Sequence, residues 1–285
     1  MVMKKVFWII LCMFFILPVT FAGNMKLHYE RPAEYFEEAL VIGNGTMGAT
    51  LYGGVKKDKI SFNDITLWTG EPESENSSPD AFNVIPEIRA LLDNEDYEGA
   101  DKAQYKVQGH YSENYQPLGT LTIEYLDDTA GISDYHRRLD IGNATARTQY
   151  LKDGKLFTSD YFASAPDSVI VIRLKSENKE GIHALLSFDS PLPHSSQVAD
   201  NEISVEGYAA YHSFPVYYKA EDKHRYDPER GIHFKTLVRV LSVDGSVKNR
   251  YSDSRIEIDG STEVLILIAN VTSFNGFDKD PVKEG

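Results

Sequence analysis

Residues 38–55 read EALVIGNGTMGATLYGGV, and the choice of fold turns on them. Gly43, Gly45 and Gly48 are spaced G-x-G-x-x-G, the pattern of a dinucleotide-binding loop. Such a loop must follow a strand and open a helix whose N-terminus holds the pyrophosphate. "ALVI" supplies the strand, and Asp64, 21 residues after Gly43, imitates the ribose-binding acid. The helix is missing. Gly53 and Gly54 would break it within two turns. Beyond them Ile60, Phe62 and then Ile65, Leu67 follow period two rather than 3.6. "LYGGV-KKDK-ISF" therefore reads as two strands around a short polar turn, and the glycines as a tight turn in which backbone approaches backbone.

Outward from this stretch the chain continues in β pattern. "GTLTIEYL" (119–126) alternates, and residues 146–164 read as a hairpin turning at Asp153-Gly154. "SVIVIRLK" (168–175) and "IHALLSF" (182–188) are further strands. Residues 234–251, with Asp-Gly at the turn, and 255–270, with Gly-Ser, read as a second and a third hairpin. Residues 195–231 are less regular and read as a surface excursion rich in Tyr, His and Asp. Strands recurring every eight to fifteen residues between turn residues indicate an all-β sandwich or barrel, not βαβ units.

One segment, about 80–107, has a helical period. Val84, Ile85, Ile88, Leu91 and Leu92 share a face, with Asp80 placed to cap the start and Glu87 early in the helix. "EDYEGADKA" reads as a second short helix. The expectation is a β-sandwich with a helical insertion.

The N-terminus is a separate matter. Lys4 and Lys5 precede the uncharged run Val6–Phe21, and Thr20-Phe21-Ala22 offers small residues at −3 and −1. This is the layout of a secretory signal peptide, residues 1–22, cut between Ala22 and Gly23. A run of 16 residues is short for a membrane span of about 20. The expected product, 23–285, is secreted or periplasmic, with a lean towards a bacterial source, and is not membrane-bound after cleavage. The one cysteine of the sequence, Cys12, leaves with the leader, so the mature chain is expected to have no disulfide and to rest on its core. The 12% aromatic content gives that core material.

The net charge is −14, and losing Lys4 and Lys5 makes the remainder more acidic. No basic patch is present to release counterions from a phosphate backbone, so nucleic acid is excluded as a partner and a neutral ligand is favoured. No G-x-S-x-G, H-E-x-x-H or phosphate-binding loop occurs. His224 with Asp222 and Asp227 has the composition of a cation site, but in a charged loop it reads as solvated, and no metal or cofactor is assigned. His183 alternates within a strand and reads as exposed or hydrogen-bonded. A glycosidase needs two carboxylates across a sugar, and 43 acids select no pair. Trp68, in "TLWTGEP", and His110, Tyr111 and Tyr115, in "GHYSENYQPLG", lie in loop-like contexts. They are the candidate substrate-binding residues, since aromatic faces stack on sugars; the alternative for each is corner packing.

The stretch 39–72, ALVIGNGTMGATLYGGVKKDKISFNDITLWTGEP, resembles the start of glycoside hydrolase family 95, which reads ALPIGNGRLGAMVFGG and then LNExTLWSGGP. "IPEIRALLDNEDYEGADK", "YQPLGTLTIEY", "YHRRLDIGNATARTQY", "FTSDYFASAPDSVIVIRL" and "IANVTSFNGFDKDP" continue the resemblance in order over about residues 28–281. The departures are Asp64, where Glu is usual, and Ser159-Asp160, where Arg-Glu is usual. The resemblance implies the N-terminal β-supersandwich domain of a secreted or periplasmic inverting α-L-fucosidase, some members acting on α-L-galactosides. It also implies that the catalytic Glu and the Asn/Asp-activated water belong to a following (α/α)6 barrel. That barrel is absent from this chain and is the expected partner, with a fucosylated glycan as the ligand. No family catalytic residue has a position here. A free-standing carbohydrate-binding module is the second reading; a self-sufficient small enzyme is the third, and no sequence feature supports it.

Overall fold

The computed structural model describes residues 25–72, 80–109 and 111–285. The leader with its cut at Ala22-Gly23, and His110, lie outside the described residues. In chain order the strands are β1 (Lys26–Tyr29), β2 (Leu40–Gly43), β3 (Met47–Leu51), β4 (Lys57–Asp64), β5 (Gly119–Tyr125), β6 (Ile132–Asp140), β7 (Thr145–Lys152), β8 (Lys155–Ser164), β9 (Val169–Ser176), β10 (Ile182–Asp189), β11 (His194–Ala199), β12 (Glu202–Tyr208), β13 (His212–Ser213), β14 (His224–Arg225), β15 (His233–Ser242), β16 (Ser246–Arg250), β17 (Arg255–Ser261) and β18 (Glu263–Thr272). Helices α1 (Ala81–Asp93) and α2 (Tyr97–Gln104) lie between β4 and β5.

Two antiparallel sheets make the sandwich. One runs β1-β6-β7-β8-β9-β18-β15-β12-β11, the other β16-β17-β10-β5-β4-β3-β2. Alternation builds the core between them. Ile182, Ala184, Leu186 and Phe188 of β10 point inward from one sheet, and Val264, Ile266 and Ile268 of β18 from the other. Each fully buried aliphatic side chain contributes roughly 1.5–3 kcal/mol, so a core of this size can stand without disulfides.

The opening glycine motif is the β2–β3 hairpin, and no helix follows it. Asn44 Oδ1 accepts from the amides of Thr46 (3.0 Å) and Met47 (2.8 Å), while its Nδ2 donates to the Ser164 carbonyl of the opposite sheet at 3.0 Å. Gly45 takes φ +95°, a conformation that side chains avoid. The nucleotide reading is thus excluded by geometry.

Four expectations need correction. Residues 234–251 and 255–270 are not hairpins: β15 and β18 belong to one sheet, β16 and β17 to the other. The turns are corners where the chain changes sheet. Gly245 (φ +66°) makes the first, and a Cβ there would meet the Gly260 carbonyl carbon at 2.6 Å. Asp244 ties the corners together by accepting from the Thr262 amide (2.7 Å) and hydroxyl (2.6 Å). Second, residues 195–208 are regular, forming β11 and β12 at the sheet edge; only 209–231 is an excursion. Third, Asp80 occupies the N-cap position of α1 without a side-chain cap bond, whereas Asp96 caps α2 by accepting from Gly99 N. Fourth, "KKDK" is not wholly a turn. Asp58 lies on β4 and faces inward, with Lys57 and Lys59 on the outer face. Its carboxylate accepts from Gly54 N (2.9 Å) and the Tyr161 hydroxyl (2.8 Å), and burial pushes its pKa up to about 6. The same desolvation raises the phenols of Tyr125 and Tyr161 beside it.

The helical insertion is where the pattern placed it. Val84 is buried, and Ala100 and Ala103 are buried on α2, but Phe82, Ile85, Leu92 and Tyr97 remain exposed.

Candidate functional site

Three loops and the segment after β18 meet at one end of the sandwich. The loop 65–72 leaves β4 at Asp64, a buried carboxylate with every bond internal. Oδ1 accepts from the Thr66 amide (2.9 Å) and hydroxyl (2.6 Å), and Oδ2 accepts from Asn270 Nδ2 of β18 (2.8 Å). The Thr66 and Thr272 hydroxyls are 2.6 Å apart. The shorter acid, Asp in place of the usual Glu, thereby fastens the loop to the opposite sheet.

Trp68 follows on this loop. Its indole N–H donates to the Ile65 carbonyl at 2.9 Å, so it offers only its apolar ring outward. It forms an isolated bridge with Tyr115, their rings lie edge to face at 6.3 Å, and they are 42% and 44% exposed. The loop 111–118 is held to the first loop by Thr69 N donating to the Asn114 carbonyl (2.8 Å) and Asn114 N donating to Thr69 Oγ1 (2.9 Å). The excursion 209–231 joins through Gly70 N donating to the Ala210 carbonyl at 3.0 Å and through Arg230, whose guanidinium binds the Glu71 carboxylate and lies 3.7 Å over the Tyr211 ring. Beside Trp68 is a groove of about 320 Å³ lined by Thr69, Glu71, Glu113, Phe274 and Phe277. Both carboxylates are engaged, Glu71 by Arg230 and Glu113 by the Thr69 hydroxyl. The groove therefore offers apolar contact rather than acid–base chemistry.

Of the residues picked from sequence, Trp68 and Tyr115 come together. Tyr111 belongs to a second aromatic cluster: its hydroxyl is 3.1 Å from His212 Nε2, and its ring lies about 6 Å from those of Phe214 and Tyr218. No ring contact joins the two clusters among the described residues. His183 is hydrogen-bonded, its Nδ1 2.9 Å from Asp259 Oδ1. His224 does not assemble a cation site with Asp222 and Asp227; its Nδ1 sits 2.8 Å from Ser213 Oγ, and among the described residues it joins no triad of metal-type ligands. Phe274, Phe277 and the Arg230–Glu71 pair went unnoticed in the sequence. Two phenylalanines in a Gly/Asn/Asp-rich tail after the last strand were the available signal, since Phe277 is 85% exposed.

Residues 27–276 match the family model described as "Glycosyl hydrolase family 65, N-terminal domain". The chain belongs to that family. Among curated relatives, the domain is 28% identical over 259 residues to "Alpha-L-fucosidase 2" of Arabidopsis thaliana, covering 88% of this chain and 31% of the relative. It is 27% identical over 277 residues to "Probable alpha-fucosidase A" of Aspergillus niger, covering 90% of this chain and 32% of the relative. The chain thus spans about a third of the length of these relatives. The domain is a fucosidase-type N-terminal β-sandwich, as the sequence motifs implied.

Proposed function

We propose that this domain is the non-catalytic N-terminal part of a secreted, inverting α-L-fucosidase acting on fucosylated glycans. The chemistry resides in the portion of the relatives that this chain does not span, the (α/α)6 barrel. The observation that carries the reading is the family match, and among the described residues of the groove both carboxylates, Glu71 and Glu113, are already engaged. The groove at Trp68, Phe274 and Phe277 and the exposed faces of α1 and α2 supply the apolar surface that a packed barrel would cover. The Trp68 loop then completes the rim of the substrate pocket.

The test compares residues 23–285 alone with the same residues followed by a family barrel, on an aryl α-L-fucoside. Turnover is expected only from the longer protein, with β-L-fucose as the first product seen by NMR. Turnover by residues 23–285 alone would overturn the reading. The Trp68–Tyr115 ledge favours one second reading, a secreted glycan-binding module. Binding of fucosylated glycans by 23–285 that Trp68→Ala abolishes would select it.

A further inference from the structure

β1 is the four-residue edge strand of the larger sheet and pairs only with β6, His28 opposite Arg138 and Tyr29 opposite Arg137. Period two puts Tyr29 and Arg137 on one face; Arg137 is buried, its guanidinium 4.4 Å from the ring centre of the exposed Tyr29 and donating at 2.7 Å to the carbonyls of Arg31 and Glu38. The outer face then carries His28 and Glu30 from β1 and its extension, and His136 and Arg138 from β6. A bulge in β6, between Ser133 and His136 with Asp134 at φ +49°, sets the register from which His136 projects.

The consequence is a cluster of three ligand-type side chains. One nitrogen each from His28 and His136 and a carboxylate oxygen of Glu30 all lie within 4.8 Å of one another. The two imidazole rings are 5.0 Å apart and tilted by 36°. The Nδ1 of His136 is buried and has no hydrogen-bond partner among the described residues. A buried ring nitrogen without a partner is uncommon, and it leaves the His136 ring without a hydrogen bond at Nδ1 that would compete with a metal for its orientation.

We propose that His28, Glu30 and His136 form a zinc site that fastens the edge strand β1 to β6. Two imidazoles and one carboxylate are the donor set of a three-ligand zinc centre, with water in the fourth position. Zn–N and Zn–O bonds of about 2.0–2.2 Å place ligand atoms roughly 3.4 Å apart in a tetrahedron, so small side-chain rotations close the site around the ion. Arg138, opposite His28, opposes a cation, and Glu30 offsets it; Gln149 faces His136 from β7. Imidazole ligands select zinc over the hard ions magnesium and calcium. The spacing along the chain hides the site, because the two histidines are brought together only by strand register.

The test uses the whole mature chain without a polyhistidine tag, stripped with a chelator and titrated calorimetrically with zinc chloride, magnesium and calcium in parallel. Zinc is expected to bind at one site and to slow amide exchange in residues 26–30, while magnesium and calcium give no heat. His136→Ala and the milder Glu30→Gln, both on the outer face, are each expected to weaken zinc binding by at least about tenfold, with their melting in chelator unchanged. No zinc binding, binding unaffected by either variant, or equal uptake of calcium overturns the proposal.

Discussion

Asp58 shows what a single side chain does when the strand period turns it inward. Its folded pKa stands at about 6 against the ordinary 3.8, chiefly through desolvation and only partly relieved by Gly54 N–H and Tyr161. Between those values the folded chain keeps a proton that the unfolded chain has lost. Stability therefore falls as pH rises from about 4 to 6 and stays lower above, by about 3 kcal/mol at ~1.36 kcal/mol per unit. Asp58→Asn keeps a carbonyl to accept from Gly54 and removes the ionisation. Its unfolding free energy is expected to be flatter across this window and to exceed the parent's at pH 7; parallel profiles from denaturant titrations would refute the assignment. The sequence hid this residue because "KKDK" looks like a solvated turn, and only the sheet reveals that one of its four side chains points into the core. Trp68 and Tyr115 were legible because large aromatics in polar, glycine- and proline-punctuated loops stand out. The sequence departure at Ser159-Asp160 has a local account too: Asp160 pairs with Arg147 across β7 and β8, and Ser159 is buried beside the Tyr125 and Tyr161 phenols.

At the level of elements, alternation located most strands to within a residue or two, and the 3.6 period located the helices. Partnership was less legible. Asp244-Gly245 and Gly260-Ser261 carry the same chemistry as hairpin turns, since a corner between sheets and a hairpin both need a residue at positive φ. What separates them is which neighbour each strand finds, a long-range fact. The edge pair β11–β12 was missed because β11 buries only Val198, so that strand shows no alternation, although β12 turns Ile203 and Val205 inward. Helix α1 leaves Phe82, Ile85 and Leu92 uncovered, and an amphipathic helix with an apolar face in water lacks part of its stabilisation. Amide exchange over residues 60–109 is expected to slow when a family barrel is fused after residue 285. Identical exchange in the two proteins would show that these helices and the Trp68 loop are not the docking surface.

For the molecule as a whole, the exposed aromatic surface forecasts behaviour in solution. Phe274 and Phe277 beside the Trp68 groove, with Val216 and Tyr217 on the excursion, present apolar area that a monomeric soluble domain seldom leaves open. The chain alone is expected to self-associate with rising concentration in sedimentation experiments, and the Phe274→Ser/Phe277→Ser double variant to do so less. A parent that stays monomeric across the micromolar range would contradict this. The strand order has a different implication, for the moment of synthesis. β18, the last strand of the sandwich in chain order, lies inside the nine-stranded sheet between β9 and β15. A nascent chain stalled on the ribosome before Thr272 has emerged leaves β9 and β15 as open edges of two half-sheets that meet only through the facing sheet. The nine-stranded sheet therefore cannot close until β18 is made, and a chaperone that shields β9 and β15 until then would cover edges open to pairing with other chains.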